Sequence, residues 1–173
     1  MKTITLFIIS LLIFSVPVFG QTMPVKIYLG NKNWNPDLED CGKVYPVTRN
    51  IPKTKAVATA ALEELFKGPT PDEEAKGYNA FPAADSKGIL KSVKIKKGAA
   101  YVNFKKIITT QFHMAATLCG HQFVSTQIEM TLKQFPGVKE VYYAIEGRPC
   151  EYYYFLEFSE CPLEPKYRSG KNF

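Results

Sequence analysis

Apolar and polar residues change period several times along the chain, and those changes lay out its elements. Val25 to Leu29 alternates with a period of two and predicts a first strand. A loop rich in Asn, Pro and Asp follows from Gly30 to Gly42 and carries the single tryptophan, Trp34. Val44 to Val47 predicts a short second strand, and Pro46 argues for a sheet edge. From Lys55 the pattern switches: Val57, Ala58, Ala61, Leu62, Leu65 and Phe66 recur at three and four, the stripe of an amphipathic helix with Thr54 as its expected N-cap. Ile89 to Phe104 returns to alternation on both sides of Lys97-Gly98 and predicts a hairpin. Val124, Ile128, Leu132 and Phe135 predict a second helix, stopped by Pro136-Gly137. Val138 to Ile145 and Tyr152 to Phe158 predict two further strands, and the polar tail from Pro165 is expected to fray. This order predicts one α+β domain: an antiparallel sheet of about four to six strands with two main helices on one face.

The segment ALEELFKGPTPDEEAKGY (61–78) packs acids around a Gly-Pro-Thr-Pro and raises the question of a carboxylate pair or a phosphate loop. Helix punctuation accounts for it better. Gly68 sits where a left-handed C′ residue belongs, and Pro69 cannot continue the helix. Thr70, Pro71 and Glu73 then form an N-cap, a first helical proline and the far side of a capping box. Glu63 and Glu64 fall on the solvent side of the first helix, and Glu73 and Glu74 in a first turn, where acids favour the helix dipole. GPTP also lacks the Gly-Lys-Ser/Thr of a phosphate loop.

The first twenty residues bear on compartment. Met1-Lys2-Thr3 is a short positive start, Ile4 to Phe14 is an apolar run broken at Pro17, and Val18-Phe19-Gly20 suits signal-peptide cleavage after Gly20. An uncleaved anchor is the alternative, but the run is short for a membrane span. Removing residues 1–20 from the 173 leaves 153, ample for one domain, and takes the net charge from +6 to +5 because Lys2 goes with it. No cysteine follows the apolar run to accept a lipid. The mature chain, 21–162 with a flexible tail over 163–173, is expected to be secreted or extracytoplasmic, without a transmembrane anchor. Its charge favours anionic partners without calling for nucleic acid. Cys41, Cys119, Cys150 and Cys161 then favour disulfides, with three connectivities open.

Several fragments resemble the GerMN domain: residues 25–29, then VYPVTRNIPKTKAVATAALEELFKGPT (44–70), GAAYVNF (98–104) and STQIEMTLKQFPGVKEVYYAIEGRP (125–149). The likeness runs over roughly residues 24–150, in order, through R-x-x-P-K-T, A-L-E-E-L-x-x-G-P-T and T-L-x-Q-F-P-x-V. It implies an extracytoplasmic bacterial domain, first described in sporulation and germination proteins, generally regarded as non-enzymatic and found beside wall hydrolases or resembling ring-building envelope domains. Asp40-Cys41 matches an Asp-Cys of some members, whereas Leu118-Cys119-Gly120 keeps only the Cys of their Ser-Cys-Arg. If the Arg at that place serves a ligand in those members, this chain lacks it. The absence of a lipid-accepting Cys and the aromatic, Cys-bracketed extension after Arg148 also depart from the pattern.

The family pattern implies a Cys41–Cys119 disulfide and leaves Cys150–Cys161 by elimination. The second pair conflicts with an extended 152–158, which at about 3.3 Å per residue would hold its flanking cysteines too far apart to bond; either that segment bends back or the pairing is crossed. His113, Cys119 and His121 match no standard zinc spacing, and export favours disulfide over thiolate, so no metal is expected. No cofactor motif is present.

Candidate partner-binding residues are Arg49, Lys94, Lys96, Tyr101, Arg148, Tyr152 and Tyr154. Lys94, Lys96 and Lys105 share the outward face of the hairpin with Tyr101 and Asn103, a patch suited to an anionic wall polymer, although outward lysines also simply keep strands soluble. Tyr152 and Tyr154 on one face of a strand suit glycan rings or a protein interface, although a strand buried on both faces explains them somewhat better. Gln127 interrupts the apolar part of the second helix and is expected to bond a backbone group. The expected function is a non-catalytic envelope module that binds a wall polymer or envelope protein, or assembles as a homo-oligomer. The alternative is a wall-acting hydrolase using acids such as Glu63 or Glu73.

Overall fold

The computed structural model describes residues 21–36, 39–80, 86, 88–111 and 118–173. The predicted leader and His113 lie outside them. Strand β1 (Thr22–Asn31) buries Val25, Ile27 and Leu29 on alternate positions. Strand β2 (Tyr45–Pro52) pairs antiparallel with it from Leu29↔Tyr45 to Thr22↔Pro52, twice the length that Val44–Val47 suggested. Pro46 does lie on an edge strand. A two-residue β3 (Tyr78–Asn79) completes the first sheet, in the order β2-β1-β3.

Helix α1 (Val57–Leu65) buries Ala61, Leu62 and Leu65, as its stripe requires. Thr54 does not cap it. The helix starts after Ala56, and the Thr54 hydroxyl accepts the N–H of Ala56, two residues further on, a local turn that competes with capping. The Thr70 capping box at α2 (Pro71–Ala75) forms as read, and Gly68 takes the left-handed φ of 71° that ends α1.

The second sheet contains β4 (Leu90–Lys96), β5 (Ala99–Phe104) and β6 (Glu140–Ile145), with β5 central. Lys97 and Gly98 both have positive φ, 48° and 84°, the two-residue turn that matches strand twist. The α+β class holds, but the single antiparallel sheet is corrected in two respects. Among the described residues six strands divide between two sheets, and β6 runs parallel to β5, from Ala99↔Glu140 to Phe104↔Ile145. The chain between β5 and β6 contains α3 (Ile108–Gln111) and α4 (Leu118–Lys133), enough for the crossover a parallel pair needs.

Helices α1 and α4 pack on each other and against both sheets, so one core of Ile27, Leu29, Leu62, Val102, Phe104, Ile128 and Leu132 serves both. Beyond β3, the free edge of β1 is closed by side chains of α4. Gln134, just past the helix, accepts the Lys26 N–H (2.9 Å) and donates to the Lys26 carbonyl (2.6 Å), while Thr131 accepts the Tyr28 N–H (3.2 Å). A side-chain amide thus stands in for a strand residue.

The last expected strand is instead helix α5 (Pro149–Phe155), with Pro149 in its first turn. That bend brings Cys150 and Cys161 to a Cα separation of 5.2 Å, and they are bonded, as are Cys41 and Cys119. No helix among the described residues is long and apolar enough to cross a membrane.

Candidate functional site

Arg49 comes from β2 and reaches the junction of α1 and α2. Its Nε donates to Glu73 Oε1 at 3.2 Å and a terminal nitrogen grips Oε2 of the same carboxylate. The other bonds go to the carbonyls of Glu64 (2.8 Å) and Gly68 (2.7 Å), acceptors at the C-terminal end of α1 that the helix itself leaves unpaired. Two acids of the 61–78 segment are therefore tied into structure, Glu73 by these bonds and Glu64 by its carboxylate, 3.5 Å from Arg49 and paired with Lys67. Glu64 is thus less solvent-facing than expected, whereas Glu63 is exposed. Burial alone would raise the Glu73 pKa, but the bonds from Arg49 and the Thr70 N–H outweigh it and hold the carboxyl below its ordinary range. Glu73 is thereby an ionised structural anchor, a poor general acid. Arg49, expected as a binding residue, is a fastener of the fold.

The lysine–tyrosine face behaves differently. Across the second sheet Lys94 stands opposite Tyr101, and Tyr101 opposite Tyr142; Lys96, Ala99 and Glu140 form the next row. The expectation that Lys94, Lys96, Tyr101 and Asn103 share a face is met in register, but not in exposure. Tyr101 is only 5% exposed and Asn103 is buried, accepting the Gly147 N–H at 2.8 Å. The reason is the C-terminal segment, expected to fray, which lies across this face. Tyr167 stacks on Tyr142 at 4.4 Å, Phe173 meets Tyr101 edge-on at 5.3 Å, and the Lys94 ammonium donates to the Phe173 carbonyl. Arg168 anchors the segment through the carbonyls of Leu163 (2.8 Å) and Cys161 (3.0 Å).

Between segment and sheet lies a cleft of about 300 Å³ lined by Lys96, Lys97, Tyr101, Glu140, Lys166 and Tyr167, together with Ala99 and Asn172. Three lysines and the Glu140 carboxylate line it. The Lys166 ammonium is already paired with Glu164 at 2.8 Å, which leaves Lys96 and Lys97 as its main cationic groups, and the Tyr142 hydroxyl donates to Glu140 at 2.9 Å. Burial, then the nearby Tyr167 and Glu140, raise the Tyr101 pKa; burial, then hydrogen bonds with Tyr167 and Glu140, raise that of Tyr142. Both phenols stay neutral, so the cleft offers cationic and neutral donors, a lining suited to an anion.

The remaining expected residues do not join it. Tyr152 and Tyr154 are on opposite sides of α5: Tyr152 is 2% exposed and stacks on Tyr143 at 4.7 Å and Phe104 at 5.7 Å, whereas Tyr154 is 53% exposed. Tyr152 cannot meet a ligand ring. Arg148 precedes α5 and pairs at the surface with Glu151 at 3.5 Å. Cys119 is committed to its disulfide and so is no zinc ligand. Lys97, Tyr142, Lys166 and Tyr167 were not foreseen. Their signal was the Lys-Tyr dipeptide at 166–167 in a tail otherwise set aside as polar.

A family model described as sporulation and spore germination matches residues 26–151. The first GerMN domain of the sporulation protein GerM from Bacillus subtilis is similar at 26% identity with a TM-score of 0.53, over 82% of this chain and 90% of that one. The tandem GerMN domains of the same protein align at 25% identity and a TM-score of 0.54, over 83% of this chain and 43% of that one. Among curated proteins none matches. The matched residues stop short of Tyr167, Lys166 and most of α5, so one wall of the cleft lies outside the family's span. The chain belongs to the sporulation and spore germination family Germane and carries a single GerMN domain.

Proposed function

We propose that this protein is an exported, non-catalytic envelope module whose cleft under the C-terminal segment binds an anionic wall polymer. The observation that carries the reading is the cleft itself, with Lys96, Lys97 and Lys166 around a floor of Tyr101. Ammonium groups flanking a partly desolvated face attract a polyanion more strongly than the same charges spread in open solvent. The signal-peptide pattern of residues 1–20 and the two disulfides fit an oxidising extracytoplasmic site, with Gln21 as the mature N-terminus. An envelope protein with an acidic face is the other partner of the same chemistry, and assembly of several copies remains compatible with it.

Retention of the oxidised protein, residues 21–173, on purified sacculi tests the reading. Wild type should be retained and Lys96→Glu/Lys166→Glu released; equal retention of both would remove the cleft from the account. The hydrolase alternative is weighed against by Glu73, whose carboxylate is occupied by Arg49 and Thr70. It is tested by turbidity of a sacculus suspension. Clearing by wild type that disappears in Glu63→Gln or Glu73→Gln would replace the binding reading with a catalytic one.

A further inference from the structure

Trp34 is the chain's only tryptophan, and it is 55% exposed. An indole left in water is normally free to move, yet this one is held from several sides. Tyr45 meets it nearly edge-on at 4.8 Å and Tyr78 at 5.7 Å, with interplanar angles of 69° and 80°. The Tyr45 hydroxyl donates to the Trp34 carbonyl at 3.3 Å, and the Trp34 N–H donates to Asn31. The turn beneath is fixed by Asn31 and Asn33, whose side-chain amides both donate to the Lys76 carbonyl, at 3.1 and 3.2 Å. Tyrosines from β2 and β3 thus pre-orient one large flat ring toward solvent.

We propose that Trp34 is a stacking platform for a glycan ring, an equatorially substituted hexopyranose of a β-linked polysaccharide. Such a ring presents axial C–H groups on its faces and hydroxyls at its rim, so it needs one flat apolar surface bordered by polar groups. Here the neighbours along the chain are polar: Lys32 and Asn33 are exposed, and no other large exposed hydrophobic side chain lies in the described parts of 31–45 or 76–79. A protein partner would ask for more, about 800 Å² per side with several apolar anchors at its centre. A fixed ring also loses little conformational entropy when a ligand stacks on it. This site is separate from the lysine cleft and does not depend on it.

Because Trp34 is the sole indole, its emission reports directly on the site. Chitotetraose titrated into the oxidised protein should give a saturable blue shift, and sorbitol, with hydroxyls but no ring, should give none. Calorimetry should show affinity for chitotetraose falling about tenfold or more in Trp34→Ala and by less than about threefold in Trp34→Phe, which keeps a flat face. The absence of a saturable shift up to about 10 mM chitotetraose, or unchanged affinity in Trp34→Ala, would overturn the proposal. So would an emission change produced by an envelope protein fraction while chitotetraose is silent.

Discussion

Replacing Arg49 by Ala should cost the protein a large share of its stability. The side chain makes four bonds: two to the Glu73 carboxylate and one each to the Glu64 and Gly68 carbonyls. Arg49 and Glu73 side chains are 11% and 14% exposed, so water replaces the lost partner poorly. Removing one member of a mostly buried pair costs about 3–5 kcal/mol. The lower end applies here, since water can reach both carbonyls through the space vacated, giving a total of about 3 kcal/mol. Against a typical domain stability of about 5–15 kcal/mol that is a major loss. Urea unfolding should show it as a midpoint lower by about 1.5–2 M, taking a slope of about 1.5–2 kcal/mol/M. Arg49→Lys should recover little, since an ammonium cannot span the carboxylate and both carbonyls. A double-mutant cycle with Glu73→Gln isolates the pair and should give a coupling above about 1 kcal/mol. A cost below about 1 kcal/mol for Arg49→Ala, or strict additivity with Glu73→Gln, would refute the structural role and return Arg49 to the candidate ligand residues.

The same carboxylate predicts a pH dependence. Its folded pKa lies below the ordinary value near 4.5, so the stabilisation is complete above that value and is lost as pH falls through the folded pKa. Acid unfolding should therefore be less steep below about pH 4.5 in Glu73→Gln, and an unchanged profile would contradict it. Gln134→Ala leaves the Lys26 backbone pair without partners and should cost about 1–2 kcal/mol, with faster hydrogen exchange at the Lys26 amide. The Cys41–Cys119 bond spans 78 residues and Cys150–Cys161 only 11; on loop entropy they contribute about 4.5 and about 3 kcal/mol. Double Ser variants should rank in that order in thermal melts, and the second should also free the C-terminal segment, read as increased acrylamide access to nearby Tyr167.

Local punctuation was the most legible layer of this sequence. Gly68, the Thr70 capping box and the Lys97-Gly98 turn each carry a backbone demand that few residues meet, so their positions could be placed from sequence. The strand reading of Tyr152–Phe158 failed because Tyr152 and Leu156, four apart, fit a period of two and one helical turn equally. Tyr154 separates the two: it shares their side of a strand but turns away on a helix, where it is exposed. Pro149, well suited to a helix first turn, was the overlooked signal. The parallel β5–β6 pair was missed because alternation fixes which residues face the core but not the direction in which a neighbouring strand runs. The cleft was half legible. Lys96 and Tyr101 follow from hairpin register, but Lys166 and Tyr167 depend on where the C-terminal segment lies, which no local pattern encodes. The motifs that carry the family resemblance proved to be fasteners: Arg49 with Glu64 and Gly68, and Thr131 with Gln134. Those residues identify the fold, while the proposed cleft draws Lys166 and Tyr167 from outside the matched span.

The most direct test of the cleft is a binding isotherm of the oxidised 21–173 protein on sacculi that retain their anionic polymers. It would be repeated on sacculi stripped of them, at low and at physiological salt. Binding to the first should be saturable and weakened by salt and by Lys96→Glu/Lys166→Glu, with little binding to the second. Equal binding to both preparations, insensitive to salt and to the lysine substitutions, would contradict it.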